Sequence, residues 1–214
     1  MTPTDPGAVM RNEIAAQPQG LAGLVETGAP GISQAAAELR RRAPRFVLFA
    51  ARGTSDHAAL YAKYLVELRL GLPAGLASPS TMTAYGARPD LRDVLLVAVS
   101  QSGGSPDLVE TATVARECGA TVLAVTNAPG SALNEAAHLS IDVNAGVEAA
   151  VAATKSYTAE LLALWLLVDS WAGGDGAAAN TVPDAVAARL RLLPQVERLA
   201  DRIGRTDRLV LTGR

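Results

Sequence analysis

The sequence predicts an α/β fold, a three-layer doubly wound sandwich built on a flavodoxin-like, five-stranded parallel sheet. Short continuous apolar runs, which are typical of strands buried on both faces, alternate along the chain with amphipathic helical patterns. Such an alternation places helices on both faces of the sheet, with right-handed crossovers between strands. The 214 residues are 49% hydrophobic, which is enough to bury one sizeable core.

Five segments have the composition of buried strands. Those at 45–51 (RFVLFAA) and 93–100 (DVLLVAVS) are nearly unbroken apolar runs bounded by polar residues. The segments at 120–127 and 138–144 continue the series, and the segment at 74–78 (AGLAS) is the shortest and least apolar. Each is followed by a helical pattern or a turn, which is typical of parallel strands joined by crossovers.

Helical patterns fill the intervals between the strands. Ser33 is a candidate N-cap for one helix, and Gly71 and Gly119 are placed to end two others. The predicted helices lie at 10–27, interrupted at Pro18, and at 33–42, 56–70, 106–118, 131–137, 152–171 and 185–204. The helix at 152–171 is apolar on nearly all sides, so it either forms an interface or lies in the core. We expect a homodimer through this helix, with core burial as the alternative.

The chain divides into four segments. Residues 1–32 are a helical lead-in, 33–172 form the α/β domain, and 173–207 are a linker and a helix. The last segment, RLVLTGR at 208–214, is similar to RFVLFAARGTS at 45–55. We therefore expect it to be the first strand of a second, truncated copy of the domain. The alternative is an edge strand that completes the first domain.

Composition and charge exclude several classes of function. A formal net charge of −2 gives no basic surface for nucleic acid, and the longest apolar run, at 161–168, is too short to span a membrane. The single cysteine, Cys118, indicates a reducing compartment, so a cytoplasmic protein is expected. His57 and His138 lack the spacing of metal ligands. The sequence contains neither G-x-G-x-x-G nor G-x-x-x-x-G-K-[ST], so neither a nicotinamide cofactor nor ATP hydrolysis is expected, and no cofactor is predicted.

Small polar residues follow the strands at the edge where parallel sheets bind ligands. Two of these loops lead into helices, whose free N–H groups and partial positive charge can hold a phosphate without any lysine. Glycine lets the backbone approach the ligand, and hydroxyl groups add hydrogen bonds. The candidate residues are Gly53, Thr54 and Ser55 in the first loop, Ser100, Gln101, Ser102 and Ser105 in the second, and Lys155 at the end of a third segment, 149–155.

Helix capping is the alternative explanation for these residues. Ser105 suits an N-cap, and Thr54 or Ser55 suits the start of the helix after the first loop. A cap needs only one side-chain oxygen, however, and the second loop offers several. Two such loops at one edge of the sheet favour an anionic ligand.

The same loops resemble those of the SIS (sugar isomerase) domain family. The likeness is greatest to the isomerase half of glucosamine-6-phosphate synthase and to amino-sugar phosphate deaminases and isomerases without a glutaminase domain. It runs in order along nearly the whole chain. The matching stretches are ARGTSDHAALYAKYLVE (51–67), LLVAVSQSGGSPD (95–107), TVLAVTN (121–127) and AGVEAAVAATKSYTAEL (145–161), with MRNEIAAQP (10–18) as the lead-in.

The resemblance implies that the candidate residues of the first two loops bind a sugar phosphate of the fructose 6-phosphate or glucosamine 6-phosphate class. Val151 matches a position whose backbone contacts the sugar, and Lys155 belongs to a Thr-Lys pair that either contacts the ligand or stabilises the start of a helix. Arg52, Gly104 and Ala153 stand where the synthase commonly has cysteine, glutamate and serine. The chain therefore looks more like the deaminase-type relatives.

The catalytic base stays unassigned. In the family, the glutamate base, the ring-opening histidine and a lysine usually come from a second SIS domain or a neighbouring subunit. His57 and Glu148 are the candidates in this chain, although His57 suits a structural role in the first turn of its helix. Met1 and Thr2 do not provide the N-terminal cysteine that the synthase uses, so no glutamine hydrolysis is expected.

Three functions follow as hypotheses. The first is an enzyme that interconverts a ketose 6-phosphate and an amino-aldose 6-phosphate, for which this chain supplies the phosphosugar site. The second is a module that senses a phosphosugar without turnover. The third is a deglycase that acts on fructosamine 6-phosphate.

Overall fold

A five-stranded, fully parallel sheet forms the centre of the molecule. The computed structural model describes residues 7–150, 152–206, 208 and 210. The strand order is β2-β1-β3-β4-β5, which is the flavodoxin-like order and confirms the predicted fold class. The strands are β1 (Phe46–Ala51), β2 (Ala74–Leu76), β3 (Val94–Ser100), β4 (Thr121–Thr126) and β5 (Leu139–Asp142).

Helices cover both faces of this sheet. The helices are α1 (Ala8–Ala15), α2 (Gln17–Gly23), α3 (Ala29–Arg42), α4 (Thr54–Leu70), α5 (Pro79–Thr83), α6 (Pro106–Glu117), α7 (Ala132–Ala136), α8 (Lys155–Trp171), α9 (Val182–Leu190) and α10 (Leu193–Ile203). A π-helical segment at Leu24–Gly28 joins α2 to α3, and a 3-10 helix at Ala177–Thr181 precedes α9.

Alternate residues of each strand enter two different core layers. Leu95, Val97 and Val99 of β3 pack in the layer under α3, α4 and α8. Leu96 and Ala98 of the same strand pack in the layer under α6 and its neighbours. Side chains along a strand point to opposite faces, so a run that is apolar at every position must be covered on both sides. This pattern is the physical basis of the three-layer sandwich.

Two predicted helix boundaries are wrong. Ser33 does not begin a helix, because α3 starts at Ala29, and the Ser33 hydroxyl lies 3.0 Å from that of Ser170. The helix expected at 185–204 is two helices, α9 and α10. Pro194 lies in the first turn of α10, where its missing N–H costs no helical hydrogen bond, and its ring disfavours a continuous helix through this point. The short helix α5, which begins at Pro79, was not expected.

Most of the apolar surface of α8 is buried inside the domain. Leu162, Leu164 and Leu167 are at most 6% exposed, so core burial accounts for the side chains that suggested an interface. Leu161 and Trp165 are only partly buried and line an apolar groove of about 650 Å³ beside α2 and α9. The homodimer stays a prediction.

The segment expected to be a linker packs on the domain. Ala179 is 1% exposed and belongs to the core, and Val182 and Val186 pack against it. The expected strand at 208–214 lies largely outside the described residues, and the two that are described, Arg208 and Val210, are in no helix or strand.

Membrane-spanning helices and metal-binding clusters are both absent from the described residues. None of the helices in residues 7–150 and 152–206 combines the length and apolar character needed to cross a membrane. The same part of the chain contains no group of three or more histidine, cysteine or acidic side chains arranged to hold a metal ion.

Candidate functional site

The loops after β1, β3 and β4 meet at the carboxyl edge of the sheet. Ala51 pairs with Val99, and Ser100 pairs with Thr126, so the three strands end side by side. β2 lies on one side of β1, whereas β3 and the later strands lie on the other side. The order of the strands therefore reverses between β1 and β3, and this topological switch point is where ligands bind in open α/β sheets.

The second loop is wound tightly by its own serines. Ser100 is 6% exposed, and its Oγ accepts a hydrogen bond from the Gly103 N–H at 3.2 Å. The Oγ of Ser102 accepts one from the Gly104 N–H at 3.3 Å. Gln101 accepts the N–H of Asn127 through its carbonyl oxygen at 3.1 Å. The loop is therefore fixed against β4 before any ligand arrives.

Gly103 is required by its surroundings. Its φ is +58°, which side-chain-bearing residues rarely adopt, and a Cβ atom at this position would lie 2.0 Å from Ser131 Oγ. The Gly103 carbonyl oxygen also accepts the Leu133 N–H at 3.0 Å. The loop is thus packed against the start of α7.

Ser105 occupies the N-cap position of α6, but its hydroxyl does not cap the helix. Its carbonyl oxygen accepts the N–H groups of Leu108 and Val109, both at 3.0 Å. Among the described residues, α6 has no side-chain cap hydrogen bond from this position. The Ser105 hydroxyl is therefore not used in the way that the capping alternative requires.

The first loop is tied to the second by an ion pair. Gly53, with φ +59° and ψ −131°, is the N-cap residue of α4, and Thr54 is the exposed first residue of that helix. Nε of Arg52 lies 2.5 Å from Oδ2 of Asp107 in the first turn of α6. Arg52, which stands where the resembling synthase commonly has cysteine, thus holds the two loops together.

The hydroxyl of Ser55 is hydrogen-bonded to a buried side chain of the domain. It is 7% exposed, and its hydroxyl donates a hydrogen bond to Oε1 of Glu160 on α8 at 2.9 Å. Glu160 is 1% exposed, and its Oε2 has no hydrogen-bond partner among the described residues. Burial raises the pKa of Glu160 to about 7; the Ser55 hydrogen bond opposes this shift and the charge of Glu148 adds to it.

Glu148 caps the start of α8. Its carboxylate accepts the N–H groups of Thr154 at 2.7 Å and Lys155 at 2.9 Å, and the hydroxyl of Ser156. Burial disfavours the charged form, but the hydrogen bonds from Ser156, Thr154 and Lys155 outweigh it and lower the pKa of Glu148. The Glu148 carboxylate therefore already occupies the N-terminus of α8, and the backbone N–H of Lys155 donates to it.

The loop that carries Glu148 is held from two further sides. The carboxylate of Glu13 on α1, which is 6% exposed, accepts the Ala149 N–H at 2.5 Å and the Ala150 N–H at 3.2 Å. The side chain of Asn127 donates to the Gly146 carbonyl and accepts the Ala145 N–H, both at 2.7 Å. Sequence reasoning missed both residues, since a lone acid in a lead-in helix and an asparagine after a strand give no local signal of these long-range contacts.

A polar cavity of about 500 Å³ opens between the second loop and this third loop. Gln101, Ser102, Asn127, Asn144 and Glu148 are among its lining residues. It thus contains two of the predicted site residues. The other described candidates, Gly53, Thr54, Ser55, Ser100, Ser105 and Lys155, lie on the adjoining loops and helix starts but do not line it.

Val151, expected to contact the sugar through its backbone, lies outside the described residues. His57 is exposed in the first turn of α4. Its position on the surface of the helix does not bring it into the lining of the polar cavity.

Comparison with known proteins identifies the family of the domain and the enzymes that contain similar sequences. The family description "SIS domain" matches residues 42–170. Glutamine–fructose-6-phosphate aminotransferase (isomerizing) from Symbiobacterium thermophilum is 36% identical over 221 residues, which cover 96% of this chain and 35% of the aminotransferase. The corresponding enzyme from Gloeobacter violaceus is 37% identical over 150 residues, covering 70% of this chain and 24% of the enzyme.

Solved structures agree. A protein from Silicibacter pomeroyi, described provisionally as a phosphosugar isomerase, is 42% identical, with a TM-score of 0.82 over 86% of this chain and 57% of that one. The C-terminal domain of glucosamine-fructose-6-phosphate aminotransferase from Francisella tularensis shares the fold, with a TM-score of 0.76 at 23% identity over 90% of this chain and 58% of that one. The chain thus spans about a third of the curated aminotransferase from Symbiobacterium and over half of these two structures.

Proposed function

Because the chain belongs to the SIS domain family, we propose that it is the phosphosugar-binding domain of an enzyme that interconverts a ketose 6-phosphate and an amino-aldose 6-phosphate. Fructose 6-phosphate and glucosamine 6-phosphate are the expected ligands. The proposal includes a cytoplasmic, homodimeric protein that uses no cofactor. The aminotransferases that match this chain are named for fructose 6-phosphate and for isomerisation, which supports this class of substrate.

The second loop is the observation that carries the proposal. It ends β3 at the switch point of the sheet, beside a polar cavity of about 500 Å³ that Gln101 and Ser102 line. The Ser105 hydroxyl at the start of α6 makes no cap hydrogen bond, so it is available to a ligand. Hydroxyl groups, backbone N–H groups and a helix N-terminus together suit a phosphate.

Direct binding tests this function. Calorimetry should show that fructose 6-phosphate and glucosamine 6-phosphate bind, and that unphosphorylated fructose and glucosamine do not. Replacing Ser105 with alanine removes one donor to the phosphate and should weaken binding by about tenfold, as expected for a hydrogen bond to a charged group. Thr113→Ala is the matched control, because this exposed hydroxyl on the same helix bonds only to the Val109 carbonyl among the described residues. Equal loss in both variants, or binding of the unphosphorylated sugars with the same affinity, would contradict the proposal.

A phosphosugar-sensing module is the second candidate. The observation that favours it is the state of Glu148, the acidic residue of the third loop. Its carboxylate is held by the start of α8 and its pKa is lowered, so it is poorly suited to take a proton from a substrate. Isomerisation of fructose 6-phosphate by this chain together with a second SIS domain, followed by NMR, distinguishes the two, since a sensing module binds the sugar without converting it.

A further inference from the structure

The Ser55–Glu160 pair lies beneath the first loop of the site. The Ser55 hydroxyl, on the first turn of α4, donates to Oε1 of Glu160 at 2.9 Å. Both residues are buried, at 7% and 1% exposure, and Oε2 of Glu160 is left without a hydrogen-bond partner among the described residues. Buried polar atoms are normally hydrogen-bonded, so a fully buried carboxyl oxygen without a partner lowers the stability of the fold and calls for an explanation.

The protonation state of this carboxyl group decides what the serine can do. A hydroxyl has one hydrogen to donate. When Glu160 is ionised it can only accept, so the Ser55 hydrogen is held by Oε1. When Glu160 carries a proton, its own O–H can donate to Ser55 Oγ, and the Ser55 hydrogen becomes free to donate to an oxygen of a ligand.

We propose that Glu160 is a positioning residue of the phosphosugar site, and that proton uptake by its carboxyl group frees the Ser55 hydroxyl for the bound sugar phosphate. The inference rests on the proposed function. One proton passes from solvent to the Glu160 carboxylate when the ligand binds, and no covalent bond to the sugar forms or breaks. Glu160 itself need not touch the ligand, because it acts through Ser55.

The charges around Glu160 are compatible with a protonation equilibrium in this range. Helices α2, α3 and α4 pack against α8, and α2 carries no charged side chain. Charged groups on the other two are paired or reach other parts of α8: Glu38 with Arg41 and Arg42, Arg40 with the carbonyls of Ser170 and Trp171, Lys63 with Glu67, and Arg69 with Asp169; Asp56 and His57 are exposed.

Glu148 is the charged group that acts on Glu160, and it favours the neutral acid. Burial and this negative charge together set the pKa of Glu160 at about 7, within the range where binding can be measured on both sides. A ligand that needs the Ser55 hydrogen raises this pKa further, since it binds the protonated form better.

The test compares the wild-type protein with Glu160→Gln across pH. The glutamine amide donates to Ser55 Oγ at every pH and so mimics the protonated acid. Fructose 6-phosphate should bind both proteins with similar Kd at about pH 6, whereas at about pH 8 the wild type should bind about tenfold more weakly than the variant. The ratio of the two Kd values cancels the titration of the phosphate itself. Glu117→Gln, an exposed change at the far end of α6, is the control and should follow the wild-type profile.

Two further measurements test the proposal, and the first uses the wild type alone, so it decides the question even if the glutamine variant folds poorly. Calorimetry of the wild type at about pH 8 in buffers of different ionisation enthalpy should show uptake of close to one proton per ligand bound, because the phosphate is already fully ionised there. In a Ser55→Ala background, the proteins with glutamate and with glutamine at position 160 should bind fructose 6-phosphate with equal Kd at all pH values.

The outcomes separate the inference from the function on which it rests. Tight binding by wild type and Glu160→Gln with the same pH profile, or binding without proton uptake, would show that Glu160 only supports the fold. Loss of binding in Glu160→Gln at every pH would also overturn the inference. If no protein binds fructose 6-phosphate or glucosamine 6-phosphate at any pH, the proposed function itself is wrong.

Discussion

The carboxylate of Glu13 accepts the backbone N–H of Ala149 at 2.5 Å, which joins the first helix to the third loop of the candidate site. Residues 136 apart in sequence thus meet where the polar cavity opens. The lead-in helix α1 therefore supports the third loop of the site, and substitutions in this helix should alter the stability of that loop.

Replacing Glu13 with alanine should destabilise the protein by about 1–3 kcal/mol, because the Ala149 and Ala150 N–H groups lose their acceptor. Urea denaturation measures the change in the free energy of unfolding. Glu26→Ala, which removes an exposed acid from the π-helical segment that follows α2, is the control and should cost less than about 0.5 kcal/mol. Equal effects of the two substitutions would refute the bracing role of Glu13.

Gly103→Ala should be strongly destabilising and should weaken phosphosugar binding. The new Cβ would lie 2.0 Å from Ser131 Oγ at a backbone φ of +58°, so the second loop must move. The expected cost is about 2–4 kcal/mol, from strain at the left-handed φ and overlap with Ser131. Gly130→Ala is a matched control, with φ +72° and no atom within 4 Å of its Cβ, and isolates the backbone contribution. If the two variants lose the same stability, the contact with Ser131 is not what requires glycine.

Glu148→Gln should lower stability at neutral pH by about 0.5–2 kcal/mol, the usual contribution of a helix cap. The sign of the pH dependence follows from the lowered pKa of this group. Its contribution is present above the ordinary pKa of 4.5 and is lost as the pH falls through the lower value in the folded protein. Thermal melts of the two proteins should therefore converge in acid. A constant difference down to low pH would mean that shape, and not charge, stabilises the loop.

Glu160→Gln should stabilise the ligand-free protein above neutral pH. Burial raises the pKa of this acid from 4.5 to about 7, so the folded wild type loses stability as the pH rises between these values. The full penalty, at most roughly 3 kcal/mol, is present above pH 7 and absent below pH 4.5. The melting temperature of the variant should exceed that of the wild type at about pH 8 and not at about pH 4. A difference that is independent of pH would mean that Glu160 is not neutralised by burial.

The sequence was sufficient for the sheet because its signal is local and repeated. Val94–Ser100 is apolar at nearly every position over seven residues, which is the length and composition of a strand covered on both faces. Helix ends were less accessible. Ser33 has the chemistry of an N-cap, but Ala29 and Pro30 already continue the helix from the π-helical segment before it, so tertiary packing decides the boundary.

The position of the candidate site could be predicted from the sequence, but the hydrogen bonds within it could not. The density of serines directly after a strand predicts that the second loop is part of a binding site. Nothing in the sequence near Ser55 indicates that its hydroxyl binds a buried acid, because its partner Glu160 is 105 positions away on another helix. Glu13 and Asn127 likewise act through contacts that exist only once the chain is folded.

The second loop, SQSGGS at 100–105, offers no fixed cation, and Arg52 beside it is neutralised by Asp107. An anion that settles among hydroxyl and amide dipoles displaces no condensed counterions. Its affinity should consequently change little with ionic strength, in contrast to sites that rely on lysine or arginine. Binding at such a site depends on the fit of the donors to the tetrahedral phosphate, so a phosphate ester should still bind in concentrated salt.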